Sequence, residues 1–314
     1  MRIILMVTVP LFKVRARVAL LVLFFLGTAH APAIASQPEV VAVDGTLCNL
    51  SSILAGSSAN ITCLIPPGGN PHGYQLKPSD RQALANASLV VHNGFDLTPA
   101  VKKLTTSAPV IAVGEQALSN YQGNDPHVWH DPIVSAGMIR VISKELSKIL
   151  SEDERSGLIL RTNQAIDVFN DLGQWGADQF SGLPEDRRVI ATDHRTYSHM
   201  AARFGFRELA MMDSHTTGGV LRPSSLNKIS DDIQISGAQV IFKPTWDASK
   251  TLKRISKRSG IPISSTPLTG EGVAAGETAV STAIQNVCVM VNGQGGECDR
   301  LKAKRLAERW EAIQ

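Results

Sequence analysis

The chain has 314 residues, with 31 Lys and Arg against 28 Asp and Glu, and 43% of its residues are apolar. Four of the basic residues and none of the acidic ones lie in residues 1–36, so the formal charge of +3 belongs to that segment. The near-neutral remainder lacks the basic surplus that a nucleic-acid partner requires, and it is long enough for one large domain or two of ordinary size.

Residues 1–36 read as a cleaved signal peptide. Arg2, Lys13, Arg15 and Arg17 form a basic start, residues 18–26 are almost wholly apolar, and Ala33-Ile34-Ala35 offers a small-x-small cleavage pattern. The apolar run is far shorter than the ~20 residues needed to span a bilayer. No Cys stands at the cleavage point, so a periplasmic protein without a lipid anchor is expected. The cysteines fit export. Cys48, Cys63, Cys288 and Cys298 allow three disulfide connectivities, and the two local pairs are favoured. A closed loop of about 15 residues contributes ~3 kcal/mol. A thiolate metal site is the weaker reading, because neither pair has the short spacing of a zinc knuckle.

Short apolar runs bounded by turn residues predict strands at 40–43, 61–65, 89–92 and 110–113. Helices are expected near 47–54 and at 79–87, the second opened by Pro78 with Ser79 and Gln82 as a capping box. Residues 134–180 carry helical periodicity interrupted at 152–156, which predicts one helix closing a first lobe and a long helix crossing to a second. Strands at 188–192, 208–212, 240–242 and 262–265 then alternate with helices at 196–204, 224–236, 248–259 and 277–291. Alternation of this kind predicts an α/β fold with parallel sheets. The strand sets are short, so two similar lobes, each a small mainly parallel sheet flanked by helices, are expected: 37–150, a linking helix 151–183, and 184–314. Lys77-Pro78-Ser79 and Arg222-Pro223-Ser224 are a faint internal echo of one lobe in the other.

Three histidines stand in loops or at strand ends. His72 lies in Pro66-Pro67-Gly68-Gly69-Asn70-Pro71-His72-Gly73-Tyr74, where three prolines limit backbone freedom. His127 lies in Asp125-Pro126-His127-Val128-Trp129-His130-Asp131-Pro132, with Asp125 and Asp131 available to orient an imidazole. His194 follows a predicted strand, the end at which parallel sheets place ligand groups. Taken singly, each also reads as a turn or helix-start residue. Taken together, three neutral imidazoles suit zinc, copper, nickel or iron. His-Glu-x-x-His, Gly-x-Ser-x-Gly and Gly-Lys-Ser/Thr phosphate loops are all absent.

In these motifs the chain resembles the zinc and manganese solute-binding proteins of ABC importers that carry a rigid linking helix. The resemblance rests on Pro66 to Tyr74, Asn93-Gly94, Asp125 to Pro132, His194 with Tyr197, and Pro223-Ser224, and it runs from about residue 40 to 270. It implies two α/β lobes with a metal ion in the cleft, held by His72 and His127 from the first and His194 from the second. It implies capture of zinc, with manganese the other candidate, and delivery by a monomer to an ABC-type membrane permease, without bond chemistry. The family's usual fourth ligand, an Asp ahead of a small or Pro residue and Leu, falls at Thr266, and Thr is a poor zinc ligand. The fourth position is left to Glu271, to water or to another side chain, with Glu271 the residue named for it. Residues 114–124 are short and lack the His-rich loop of many zinc-specific members. His130 and His199 stand where the family has apolar or aromatic residues and read as packing histidines. His92 reads as a satisfied core residue, and His215 beside Asp213 as a weaker cleft candidate. Two alternatives accompany this reading: a zinc-dependent hydrolase on the same three histidines, with Glu271 or Asp213 as base, and a surface adhesin on the same scaffold.

Overall fold

The computed structural model describes Thr8 and residues 36–212, 223–245 and 247–314. Four β-branched runs, β1 (Glu39–Ala42), β2 (Asn60–Cys63), β3 (Leu89–His92) and β4 (Val110–Ala112), pair in parallel in the order β2-β1-β3-β4. The two central strands are buried on both faces, with Val40, Val41, Val90 and Val91 all sealed from solvent. This is why they read as unbroken apolar runs rather than alternating ones. α1 (Gly45–Ala55), α2 (Pro78–Asn86) and α3 (Val113–Ala117) follow β1, β2 and β4. The cap of α2 is displaced from Ser79 and Gln82. Asp80 accepts from the Lys77 backbone N–H at 2.7 Å, which leaves Pro78 in the first helical position, where a missing N–H costs nothing.

α4 (Pro132–Ile149) and α5 (Glu152–Ser181) are separated only by Leu150 and Ser151. Glu154 accepts from both the backbone N–H and the hydroxyl of Ser151. The acidic run read as a break is therefore the first turn of the 30-residue α5, where carboxylates oppose the positive end of the helix dipole.

The second sheet pairs β5 (Val189–His194) with β6 (Arg207–Met212) in parallel. α6 (Ser198–Phe204) connects them, and α7 (Pro223–Gln234) and α8 (Lys250–Ser259) follow. The strands expected at 240–242 and 262–265 shrink to the parallel bridges Ala191↔Ile241 and Ile241↔Ile263. Pro262 and Pro244 flank these bridges and cannot donate to a longer ladder. α9 (Ala279–Gly293) and α10 (Arg300–Glu311) close the chain. The sequence reading did not name α10, whose apolar face is only Ala303, Leu306 and Trp310 in a heavily charged segment.

One apolar core joins Val40 and Val91 of the first sheet to Ile139 and Ile142 of α4, Phe169 and Trp175 of α5, and Val287 and Trp310 of the last helices. A separate cluster around Val189, Ile233 and Ile255 covers the second sheet. Gln37–Gln314 is one compact unit. The class is the expected α/β arrangement of two parallel sheets flanked by helices with a long helix, α5. Disulfides join Cys48 to Cys63 and Cys288 to Cys298, the two local pairs. Among the described residues no helix is long and apolar enough to cross a membrane. Asp213 and His215 lie outside the described residues.

Candidate metal centre

His72, His127, His194 and Glu271 come from four separate segments, and one ligand atom from each lies within 4.8 Å of all the others. His72 sits in the loop after β2. Tyr74 Oη braces its base, 2.7 Å from Asp80 and 2.9 Å from the Leu64 carbonyl. Asn70 Oδ1 accepts from the His72 backbone N–H.

His127 is fully buried. Its backbone N–H and its ring Nδ1 both face Asp125 Oδ1, at 3.0 and 2.9 Å, which turns Nε2 toward the other imidazoles. Asn93, directly after β3, donates to the Pro126 carbonyl at 2.8 Å and so ties down the loop. Gly94 follows at φ 89°, and a Cβ there would strike the Glu115 side chain at 2.5 Å. Asn93 thus serves the His127 loop, and Gly94 serves the close approach of α3.

His194 is the last residue of β5 rather than a loop residue beyond it. Asp193 Oδ1 accepts from its backbone N–H and its Nδ1, both at 2.9 Å. Asp193 thus orients the imidazole as Asp125 does for His127. Asp131 does not share that work. It caps α4 through the Ile133 N–H and pairs with Arg203 Nε at 2.9 Å.

Glu271 lies in the loop before α9. Its Oε1 is 2.9 Å from His194 Nε2, and its Oε2 is 3.0 Å from His72 Nε2 and 3.5 Å from His127 Nε2. Oε2 is buried and has no well-angled hydrogen bond in spite of those distances. His72 and His127 also face each other Nε2 to Nε2 at 3.3 Å. Two imidazole nitrogens and an under-satisfied carboxylate oxygen crowded together in a buried space suit a cation better than they suit one another. Thr266, where the resemblance places a carboxylate, lines a different pocket beside α9 and α10.

The same contacts set the charges of the metal-free cluster. Burial pulls His127 and His194 toward the neutral form, but hydrogen bonds and charge from Asp125, Asp193 and Glu271 outweigh it, raising His127 and lifting His194 to about 9. Burial would raise Glu271, yet the three imidazoles hold it well below the usual carboxylate range.

Among the described residues, three further histidines lie outside this group. His130 is buried, with Nε2 2.8 Å from the Gly270 carbonyl. His199 Nε2 faces the Asp125 carbonyl at 3.2 Å and its ring meets Tyr121 edge-on at 4.9 Å. Packing alone was expected of both, yet each reaches across to a segment that carries one of the four converging side chains. His92, at the end of β3, is partly buried, and burial lowers its pKa.

A family model described as ZnuA, zinc-uptake complex component A periplasmic, matches residues 40–293. The chain is 24% identical over 252 residues to the manganese-binding lipoprotein MntA of Halalkalibacterium halodurans, covering 76% of this chain and 83% of that protein. In three dimensions it is similar to the periplasmic zinc-binding protein TroA of Treponema pallidum, with a TM-score of 0.75 at 21% identity, covering 82% of this chain and 99% of that one. It is also similar to Fe(III)-bound YtgA of Chlamydia trachomatis, with a TM-score of 0.76 at 20% identity, covering 83% and 99%.

Proposed function

Because the chain belongs to the family of zinc-uptake complex component A periplasmic proteins, we propose that His72, His127, His194 and Glu271 together bind one zinc ion, which the protein delivers to an ABC-type membrane permease. The family makes the chain an extracytoplasmic solute-binding protein, the divalent-metal-binding component of ABC uptake, and not an enzyme. Glu271 is accordingly read as a ligand, and the hydrolase reading is set aside.

The observation that carries the proposal is the convergence of four ligand atoms from distant segments. Four donors at about 2.0–2.2 Å around a tetrahedral zinc stand roughly 3.3–3.5 Å apart. The Nε2–Nε2 and Nε2–Oε2 separations of 3.3 and 3.5 Å already fall there, and those of 2.9–3.0 Å need only a small relaxation. Two of the imidazoles give their other ring nitrogen to Asp125 and Asp193, the partner a metal-ligating His normally has. Three nitrogens and one carboxylate form a borderline-soft set that favours zinc, whereas manganese prefers more oxygen.

Manganese is the second reading. Both Glu271 oxygens face imidazole nitrogens, so a bidentate carboxylate would add an oxygen donor. MntA, by its name, binds manganese.

Competition against a chelator of known zinc affinity tests the assignment. The protein should take one equivalent of zinc. His72→Ala, His127→Ala and His194→Ala should each weaken binding at least about a hundredfold, since a structural-zinc binding energy of about 10–16 kcal/mol shared among four ligands is roughly 3 kcal/mol apiece. A triple variant that titrates like the wild type would show that these residues do not hold the ion. Manganese displacing zinc at equal concentration would decide for the second reading.

A further inference from the structure

His130 is buried, and its Nε2 meets a backbone carbonyl rather than one of the converging side chains. Its ring lies between Trp129, at 5.3 Å and 44°, and Tyr197, at 4.6 Å and 45°. Nε2 is 2.8 Å from the carbonyl oxygen of Gly270, 140 residues along the chain. Burial pushes the imidazole down to about 3, so it is neutral and carries a single ring N–H. A carbonyl only accepts, so that proton is on Nε2 and is donated to Gly270.

The position of this bond matters. The Gly270 carbonyl belongs to the peptide that leads into Glu271. A peptide is planar, so holding its oxygen sets the plane from which the Glu271 side chain departs. The flanking bonds anchor the loop further out: Leu268 N–H to the Lys243 carbonyl, the Thr269 N–H and carbonyl to Asn286, and the Val273 carbonyl to the Gly68 N–H. Gly270 itself is pressed against the other side of the site. A Cβ there would come within 2.9 Å of Thr196 Cγ2, and Thr196 Oγ1 is 2.7 Å from His194 Nε2.

We propose that His130 is a positioning residue for the fourth ligand, holding the Gly270–Glu271 peptide at the orientation from which Glu271 reaches the three imidazoles. The proposal rests on the ligand set proposed above. A Glu side chain has three rotatable bonds and loses rotamer freedom when fixed, so a pre-set peptide lowers the ordering cost of capture. His130 thus governs how tightly the ion is held without touching it.

The test is a double-mutant cycle read by chelator competition with zinc. His130→Leu should weaken zinc binding by about 10- to 100-fold with the one-to-one stoichiometry kept, the usual cost of losing a residue that orients a ligand. His130→Gln, whose terminal amide N–H can occupy the place of Nε2, should restore most of the affinity. In a Glu271→Ala background His130→Leu should have almost no further effect, because the two act through one contact. An equal loss in both backgrounds would make His130 a packing residue only, and no loss in the wild type would remove it from the site altogether. Should His130→Leu fail to fold, His130→Asn replaces it, since its shorter side chain stops short of the carbonyl and the same two outcomes apply. The ligand set fails on a different result, undiminished zinc binding by the triple histidine variant.

Discussion

Asp125, in the loop ahead of α4, and Asp193, in β5, perform the same local act. Each accepts the backbone N–H and the ring Nδ1 of a histidine one or two residues ahead, so that Nε2 faces inward. The consequence is a pH dependence. With His194 lifted to about 9, the metal-free imidazole is protonated at neutral pH, and an incoming ion must displace that proton. Zinc affinity should rise between pH 6.5 and about 9, with roughly one proton released per ion at pH 7 from this residue, seen by calorimetry in buffers of different ionisation enthalpy. The metal-free fold should respond in the opposite sense. A raised His pKa stabilises the folded chain below pH 6.5, and that contribution is lost as pH climbs through about 9. Glu271, held low, contributes above the ordinary carboxylate range and loses its part only on strong acidification. Melting curves of metal-free protein that rise from pH 6.5 to 9 would contradict the His194–Asp193–Glu271 arrangement. At this scale the three histidines were legible because prolines and a strand end isolate them. Glu271 was legible only as one choice among several. The bonds of His130 to Gly270 and His199 to Asp125 were not legible, since they join residues 140 and 74 apart.

Among the elements, α5 shows how small residues set helix approach. Gly176 lies against the ring of Phe204 from α6, and a Cβ there would sit 2.5 Å from Phe204 Cζ. Phe204 is buried and stacked on Phe180 at 5.4 Å, so it cannot yield. Gly176→Ala should therefore cost about 1–3 kcal/mol in urea unfolding, against the gain in helix propensity expected at an exposed position. An unchanged midpoint would mean that the two helices do not approach this closely. Elements with strong apolar periodicity, such as α4 and α5, could be read in advance. Elements defined by their ends could not. The cap of α2 moved to Lys77 and Asp80, the interruption between α4 and α5 narrowed to Leu150 and Ser151 with the acidic run as the first turn of α5, and the last two strands shortened to bridges between prolines. In each case the deciding partner is a backbone group that periodicity does not report. α10 escaped because its charged residues hide a narrow stripe of Ala303, Leu306 and Trp310, which acquires meaning only against Phe169 of α5, 5.3 Å from the Trp310 ring.

For the whole molecule, one shared core underlies the segments that bring His72, His127, His194 and Glu271 together. The core runs from the first sheet through α4 and α5 to the terminal helices without a break. Further bonds tie these segments: Gly68 N–H to the Val273 carbonyl at 2.7 Å joins the His72 loop to the Glu271 loop, and Arg203 to Asp131 joins α6 to the start of α4. The α/β class and the long helix were legible in the alternation of strand and helix patterns, whereas the cross-connections were not, because each depends on residues far apart in the chain. The most direct test of the central claim is a crystal of the zinc-loaded protein measured on both sides of the zinc absorption edge. One anomalous peak about 2.0–2.2 Å from His72 Nε2, His127 Nε2, His194 Nε2 and a Glu271 oxygen is the predicted result. A peak elsewhere, or one at this place that leaves Glu271 uncoordinated, would contradict the account.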